Sequence, residues 1–288
     1  MRVAAAGTES HQTRFRIVDR RLVTFLSDYG TDDEFVGVCH AVIERIAPEA
    51  KVLDLSHGIP RHDVRQGAAV LANALGYSSP GVHMAIVDPG VGSTRKAVIV
   101  RTADDDRLLV GPDNGLLAPA IERFGGSAEA VDVSLSRVRL EPISATFHGR
   151  DVFAPVAAHL ARGEAPSDLG EPMDAAELTE LERTPAVIEP GRRVEATIAY
   201  VDRFGNAALE LSAAELVDSG LKLGHRVWVE GGGVTLDAVY LLTFADVPAN
   251  ALLLYLDSYG NLALAVNRGS AAERLGVHSG DRIVLRPA

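Results

Sequence analysis

The sequence predicts an α/β N-terminal domain with a mostly parallel, helix-covered sheet, followed by a small all-β C-terminal domain, a barrel or a sandwich. Three observations predict it. Apolar, β-branched runs alternate with helix-period runs from Arg21 to Ala161. The early strand candidates end in polar, glycine-containing loops, where open α/β sheets collect their ligands. Beyond Gly191, strand-like runs follow one another with Gly, Asn and Asp at the turns. Residues 1–20 are read as a mobile extension, 21–185 as the α/β domain and 186–288 as the all-β domain. The boundary falls near Pro185 to Gly191, at the end of an acidic, proline-punctuated stretch.

Arg21 to Ser27 reads as the first strand and runs into Asp28-Tyr29-Gly30-Thr31-Asp32-Asp33. Thr31 or Asp32 is placed to cap the next helix, whose apolar positions Phe35, Val38, Cys39, Val42, Ile43 and Ile46 recur at helical spacing until Pro48. Lys51 to Leu55 is a second strand, ending in Ser56 to Asp63, and Val64 to Leu75 a second helix. Val82 to Val87 is a buried strand that Pro89, Gly90 and Gly92 prevent from continuing past Asp88. Ala97 to Arg101 and Arg107 to Val110 form a hairpin about Ala103 to Asp106, and Gly111 to Gly115 opens a helix from Leu116 to Phe124. Val131 and Val133 suggest a short strand, Ser144 to Asp151 opens a helix from Val152 to Ala161, and a short helical stretch lies near Ala175 to Leu181. In such a sheet the loops starting at Asp28, Asp88, Gly111 and Ser144 converge. Strands follow at Val194 to Val201, Ala207 to Leu211, Arg226 to Glu230, Val234 to Tyr240, Ala251 to Leu256, Leu262 to Val266 and Arg282 to Leu285, with no internal repeat expected.

Composition narrows the function. The 28 basic and 39 acidic residues give a formal net charge of −11, without a Lys/Arg run to follow a phosphate backbone, so nucleic acid is not expected as a partner. Cys39 is the single cysteine, which excludes an internal disulfide and a cysteine-based zinc site and fits a cytoplasmic location. Residues 1–18 are polar, with His11, Arg14 and Arg16, and read as neither a signal peptide nor a spanning helix, so no membrane is expected. Asp28, Asp32, Asp33, Asp88, Asp113, His57, His62 and His148 offer metal-ligand chemistry, but no metal-binding spacing occurs and Arg95 near Asp88 would repel a cation. Gly90-x-Gly92 and Gly231-Gly232-Gly233 match no phosphate-loop fingerprint and read as turns. With no nucleophile elbow and Cys39 in an apolar helix, water is the expected nucleophile.

Several motifs together resemble one family, the S-adenosylmethionine hydroxide adenosyltransferases, which are similar to the fluorinase and chlorinase enzymes. They are Phe25-Leu26-Ser27-Asp28-Tyr29-Gly30, Asp54-Leu55-Ser56-His57, Val87-Asp88-Pro89-Gly90-Val91-Gly92, Pro112-Asp113-Asn114-Gly115-Leu116, Thr146-Phe147-His148-Gly149-Arg150-Asp151, Asp202-Arg203-Phe204-Gly205-Asn206 and Ser258-Tyr259-Gly260-Asn261. The resemblance implies an N-terminal α/β domain plus a C-terminal β-barrel. It also implies a homotrimer, with each site between one subunit's N-terminal domain and its neighbour's C-terminal domain. The hydrolases' Asp, Arg and His around the reactive water fall on Asp88, Arg95 and His148. Fluorinase has tyrosines at the positions of Asp88 and His148 and a halide-holding serine at that of Gly149, so the departures favour water over halide. By the same comparison Asp28 holds the ribose hydroxyls, Asn206 the adenine edge, and Asp202 with Ser258 the methionine ammonium and carboxylate. Tyr259 stands where fluorinase has an arginine.

The activity so implied is hydrolysis of S-adenosylmethionine to adenosine and methionine, by attack of water on the ribose 5′ carbon and without a cofactor. In this reading Asp88 and His148 orient the water and take its proton, while Arg95 favours the ionised carboxylate and stabilises hydroxide. Two other readings stand beside it. A calcium-dependent nucleoside hydrolase would share the Asp cluster after the first strand, but wants an Asp where this chain has Leu26. A sensor of S-adenosylmethionine or adenosine would have no use for Asp88, Arg95 and His148 together.

Overall fold

The computed structural model describes residues 21–211 and 213–288. The predicted mobile extension, residues 1–20, lies outside the described residues.

Strand β1 (Leu22–Ser27) is central because it is apolar on both faces, with Val23, Phe25 and Leu26 fully buried. It pairs in parallel with β2 (Lys51–Ser56) and β3 (Val82–Ile86), and β3 pairs in parallel with β5 (Leu108–Pro112). The crossovers that parallel strands require are supplied by helices α1 (Phe35–Ile46) and α2 (Val64–Leu75). The predicted hairpin inserts β4 (Ala97–Thr102) antiparallel to β5, and β6 (Ser127–Asp132) and β7 (Glu171–Met173) extend the sheet antiparallel. The order is β2-β1-β3-β5-β4-β6-β7. Helix α4 (Ala154–Ala161) packs with α1 on one face, and α2 with α3 (Ala118–Arg123) on the other.

Several expectations shift. Neither Thr31 nor Asp32 caps α1: the N-cap is Glu34, without a side-chain cap, and the helix starts where Phe35 seats against Tyr29 and Phe147. Asp63, by contrast, caps α2 by accepting from the Gln66 N–H. The helical stretch near Ala175 to Leu181 contracts to a single 3₁₀ turn (Ala175–Glu177), and α4 is preceded by a π turn (Gly149–Phe153). Cys39 is buried in the core, as its apolar setting predicts.

The second half is a closed seven-strand barrel. Strand β9 (Arg193–Val201) pairs with β15 (Arg282–Pro287) on one side and β10 (Ala207–Leu209) on the other, which closes the ring through β14 (Leu262–Val266), β13 (Leu252–Leu256), β12 (Val234–Tyr240) and β11 (Arg226–Gly231). Strand β8 (Val187–Glu189) adds to β9 from outside the ring. Helices α5 (Ala213–Asp218) and α6 (Ala271–Leu275) are too short to leave a periodic signal. One pair, β12–β13, is parallel, because the connection 241–251 carries the chain back before β13 begins. The Gln66 side-chain amide ties the halves together: its Nε2–H donates to the Val201 carbonyl at 3.0 Å and its Oε1 accepts the Val201 N–H at 3.1 Å.

The barrel contains the repeat that the sequence was not expected to hold. Tyr200-Val-Asp-Arg-Phe-Gly-Asn206 and Tyr255-Leu-Asp-Ser-Tyr-Gly-Asn261 fold into equivalent turns. In each, one Asp oxygen accepts the N–H of the aromatic residue and of the Asn, and the other accepts the Asn side-chain N–H. Each turn needs a left-handed residue before the Asn, which Gly205 and Gly260 supply at φ 78° and 84°. Tyr200 of the first unit donates its hydroxyl to Asp257 of the second at 2.6 Å.

Candidate active site

The ends of β1, β2 and β3 open into a cavity of about 550 Å³, lined among others by Asp28, Tyr29, His62, Asp88, Phe147 and His148. It sits where a parallel sheet exposes its loops at the carboxyl ends of the strands. Three of the four predicted loops meet there, those starting at Asp28, Asp88 and Ser144, and the loop after β2 joins them through Arg61 and His62. The loop at Gly111 to Gly115 does not reach the cavity. Instead Asn114 braces the site from behind, donating its side-chain amide to the Val87 carbonyl at 2.9 Å, and Asp113 accepts the Thr179 N–H.

Asp88, Arg95 and His148 form one connected set. Arg95 Nε–H lies 2.9 Å and 3.0 Å from the two Asp88 oxygens, and Nη2–H also donates to Oδ2. The same Nη2 lies 3.0 Å from His148 Nδ1. A guanidinium only donates, so Nδ1 accepts and a neutral His148 carries its proton on Nε2. Desolvation and the neighbouring Arg95 charge both hold His148 below the usual histidine range, which favours this neutral form. The Asp88 and Arg95 side chains are 6% and 11% exposed, so the pair is largely shielded from solvent. Arg95 lies over the Phe153 ring at 5.2 Å, which closes the remaining side of the guanidinium.

Two glycines make this proximity possible. Gly92 has φ 78°, and a Cβ there would fall 2.4 Å from the Ala145 carbonyl, so the Asp88 loop can lie against the His148 loop only with glycine. A Cβ at Gly149 would fall 2.3 Å from the Tyr29 hydroxyl. Tyr29 therefore occupies the space a side chain at 149 would take. Its ring packs edge-on against Phe25 and Phe147. Burial pushes the phenol up, so it stays protonated and a donor at the cavity wall. The sequence alone does not mark Tyr29, Phe35 and Arg61 as site residues, and offers His62 only as a candidate metal ligand. Tyr29 and Arg61 adjoin the singled-out Asp28 and His62, while Phe35 reaches the site only through its packing on Tyr29 and Phe147.

Asp28 accepts the His62 backbone N–H on Oδ2 at 2.9 Å. His62 reaches it from a left-handed conformation, φ 66°, so the loop after β2 is shaped around this carboxylate. Of the residues considered as metal ligands, Asp28, Asp33, Asp88, His62 and His148 line the cavity, where Arg95 already engages Asp88 and His148.

Comparison with known proteins decides the family. Residues 23–170 match the SAM hydroxide adenosyltransferase N-terminal domain, and residues 196–284 match the corresponding C-terminal domain. The chain belongs to the SAM hydroxide adenosyltransferase family. It is 43% identical to a protein of Salinispora arenicola named (R)-S-adenosyl-L-methionine hydrolase, over 91% of this chain and 96% of the relative. It is 41% identical to a protein of that name from Thermus thermophilus, over 90% and 97%. A fluorinase of an Actinoplanes species is 25% identical over 93% and 98%. A crystal structure of an uncharacterized conserved protein from Thermotoga maritima superposes with a TM-score of 0.83 at 35% identity, covering 92% of this chain and 99% of that one.

The C-terminal hydroxide adenosyltransferase motifs occupy the two repeated turns. Asp202 lies in a separate cleft with Pro60, Gln66, Phe204 and Ser270, and Asn206 is buried with its amide on Asp202. Ser258 is exposed, and Tyr259 packs its ring on Tyr77 at 6.0 Å. None of these four lines the cavity that holds Asp28, Asp88 and His148. Among the described residues, no helix is long and apolar enough to cross a membrane.

Proposed function

We propose that this chain hydrolyses S-adenosyl-L-methionine to adenosine and L-methionine, with water attacking the ribose 5′ carbon in line with the departing sulfur. The observation that carries the reading is the connected Asp88, Arg95 and His148 set in a cavity with Asp28, in a chain 41–43% identical to relatives named S-adenosyl-L-methionine hydrolases. The sulfonium leaves as a neutral thioether, so the site has no need of a general acid. Hydroxide meeting a cation neutralises charge, which an apolar wall of Tyr29, Phe35 and Phe147 favours over separated ions.

The tautomer divides the roles. His148 offers Nε2–H to the water oxygen and is not the base. Asp88 takes the proton, and Arg95 holds the carboxylate in one orientation while stabilising the hydroxide that forms. Asp28, positioned by His62, binds the ribose hydroxyls.

We assign the adenine edge to Asn206, the methionine ammonium and carboxylate to Asp202 and Ser258, and a contact on that carboxylate to Tyr259. That these four stand away from the cavity of their own chain supports a homotrimer in which one copy's barrel completes its neighbour's site. The division between residues 185 and 186 belongs to this reading, supported by two sheets that share no strand. A cytoplasmic location is supported by the single, buried Cys39.

The test is incubation of the purified protein with S-adenosylmethionine in oxygen-18 water and mass analysis of the products. Label in the adenosine 5′ hydroxyl with equal methionine is expected. Substrate recovered intact, or label absent from adenosine, overturns the reading.

A further inference from the structure

A second cluster of ligating side chains lies behind the Asp28 loop, at the open edge of the sheet, and the proposed hydrolysis does not use it. His40 on α1 and Asp54 and His57 on and after β2 present one ligand atom each, all within 4.8 Å of one another. His40 Nε2 is 2.8 Å and His57 Nε2 3.0 Å from the same oxygen, Asp54 Oδ1. We propose that these three residues bind one divalent transition metal of the zinc class.

The state of His57 supports this. Its side chain is 95% buried, and its Nε2 has no hydrogen-bond partner despite facing Asp54. The other ring nitrogen, Nδ1, lies 2.7 Å from Ser27 Oγ, which also accepts the Tyr29 N–H. In the tautomer that donates Nδ1–H to Ser27, the Nε2 lone pair faces Asp54, in the arrangement by which a ligating histidine is oriented through its second nitrogen. The fully buried Phe25 ring lies under both imidazoles, at 4.6 Å from His57 and 6.1 Å from His40, and gives the site an apolar floor.

The chemistry selects the ion. Two imidazoles and one carboxylate suit zinc and its neighbours, whereas calcium and magnesium require a shell of oxygens. Zinc bonds of about 2.0–2.2 Å put tetrahedral ligand atoms about 3.3 Å apart, a few tenths of an ångström beyond the present His–Asp separations of 2.8 Å and 3.0 Å. Rotation of the half-exposed His40 and Asp54 side chains opens that space and leaves the outer position to water. The ion would also steady the start of the Asp28 loop, through Ser27 and through the His57 carbonyl that accepts the Gly30 N–H at 2.8 Å.

The inference does not depend on the proposed hydrolysis, and its test reads binding alone. Tag-free, chelator-treated full-length protein is titrated calorimetrically with zinc chloride, then with calcium and magnesium chloride. One zinc per chain with micromolar or tighter affinity is expected, weakened at least tenfold by His40→Gln and by Asp54→Asn and unchanged by His278→Gln. Cobalt(II) bound to the unaltered protein should show the intense visible absorption of a four- or five-coordinate ion, a readout that no variant's folding can confuse. Absence of zinc binding, affinity indifferent to His40 and Asp54, calcium or magnesium binding as tight as zinc, or a cobalt spectrum like that of the hydrated ion would overturn the proposal.

Discussion

Arg95 serves two acceptors with one planar group, and a lysine ammonium in the same place cannot reproduce that fork. Arg95→Lys is therefore expected to lower kcat for S-adenosylmethionine by about a hundredfold or more while KM changes only a few-fold, since the group acts on the reacting water. A rise in KM with kcat preserved would move Arg95 to substrate binding. The same residue governs the acid limb of the rate profile. Desolvation first and the Arg95 charge second hold His148 below the ordinary histidine range, so it takes up its proton at lower pH than a free histidine. Protonation at lower pH would turn Nδ1 into a donor facing a donor and break the set. Removing the like charge in Arg95→Gln raises the His148 value, so the acid limb of residual activity should move to higher pH. A limb that stayed in place would separate it from His148.

The π turn at Gly149 carries His148 at its start and the Tyr29 hydroxyl against its first residue. Such turns recur at functional sites because they displace one residue from the helical ladder. Gly149→Ala would drive a methyl group into the phenol, an overpacking that costs about 1–3 kcal/mol. It should lower both the unfolding midpoint and the activity, and Tyr29→Phe in the same chain should restore part of the stability. No relief in the double variant would mean that the collision is absorbed elsewhere. This pairing marks the limit of what could be read from the residues. Strands β1, β3, β12 and β14 were legible because burial is written in continuous apolar or alternating runs. Asp88 stood out as a carboxylate at a strand end before glycine-rich backbone, whereas its grouping with Arg95 and His148 came only from the resemblance to a family. The start of α1 was not, since aromatic packing among Tyr29, Phe35 and Phe147 overrides a local cap. The parallel β12–β13 pair depends on where a long connection returns, and the repeated Asp-to-Asn turns are too short for periodicity to register.

Across the whole molecule, pH acts on the fold through a second histidine. His83 is buried, its Nδ1 is 2.9 Å from the Thr24 hydroxyl and its Nε2 accepts from Arg107, and burial reinforced by the Arg107 charge lowers its value to about 3. The unfolded chain takes up this proton near pH 6.5 and the folded chain does not until about 3, so stability falls as pH falls through that window. The slope is about 1.4 kcal/mol per pH unit, or about 2 kcal/mol lost by pH 5. Urea unfolding at pH 7.5, 6 and 5 should show this loss, reduced by about that amount in His83→Gln; equal slopes would refute the linkage. Assembly sets the other whole-molecule expectation. If each site joins one copy's α/β cavity to its neighbour's barrel, Asp88→Asn and Asn206→Ala disable opposite halves of it. Each variant alone should be nearly inactive. Co-expressed in equal amounts, they form mixed rings in which about one site in four pairs an intact cavity with an intact barrel, because the two halves are drawn independently around a closed heterologous ring. Activity should then recover to about a quarter of the unaltered protein's. If both halves came from a single chain, every site would retain one defect and mixing would restore nothing.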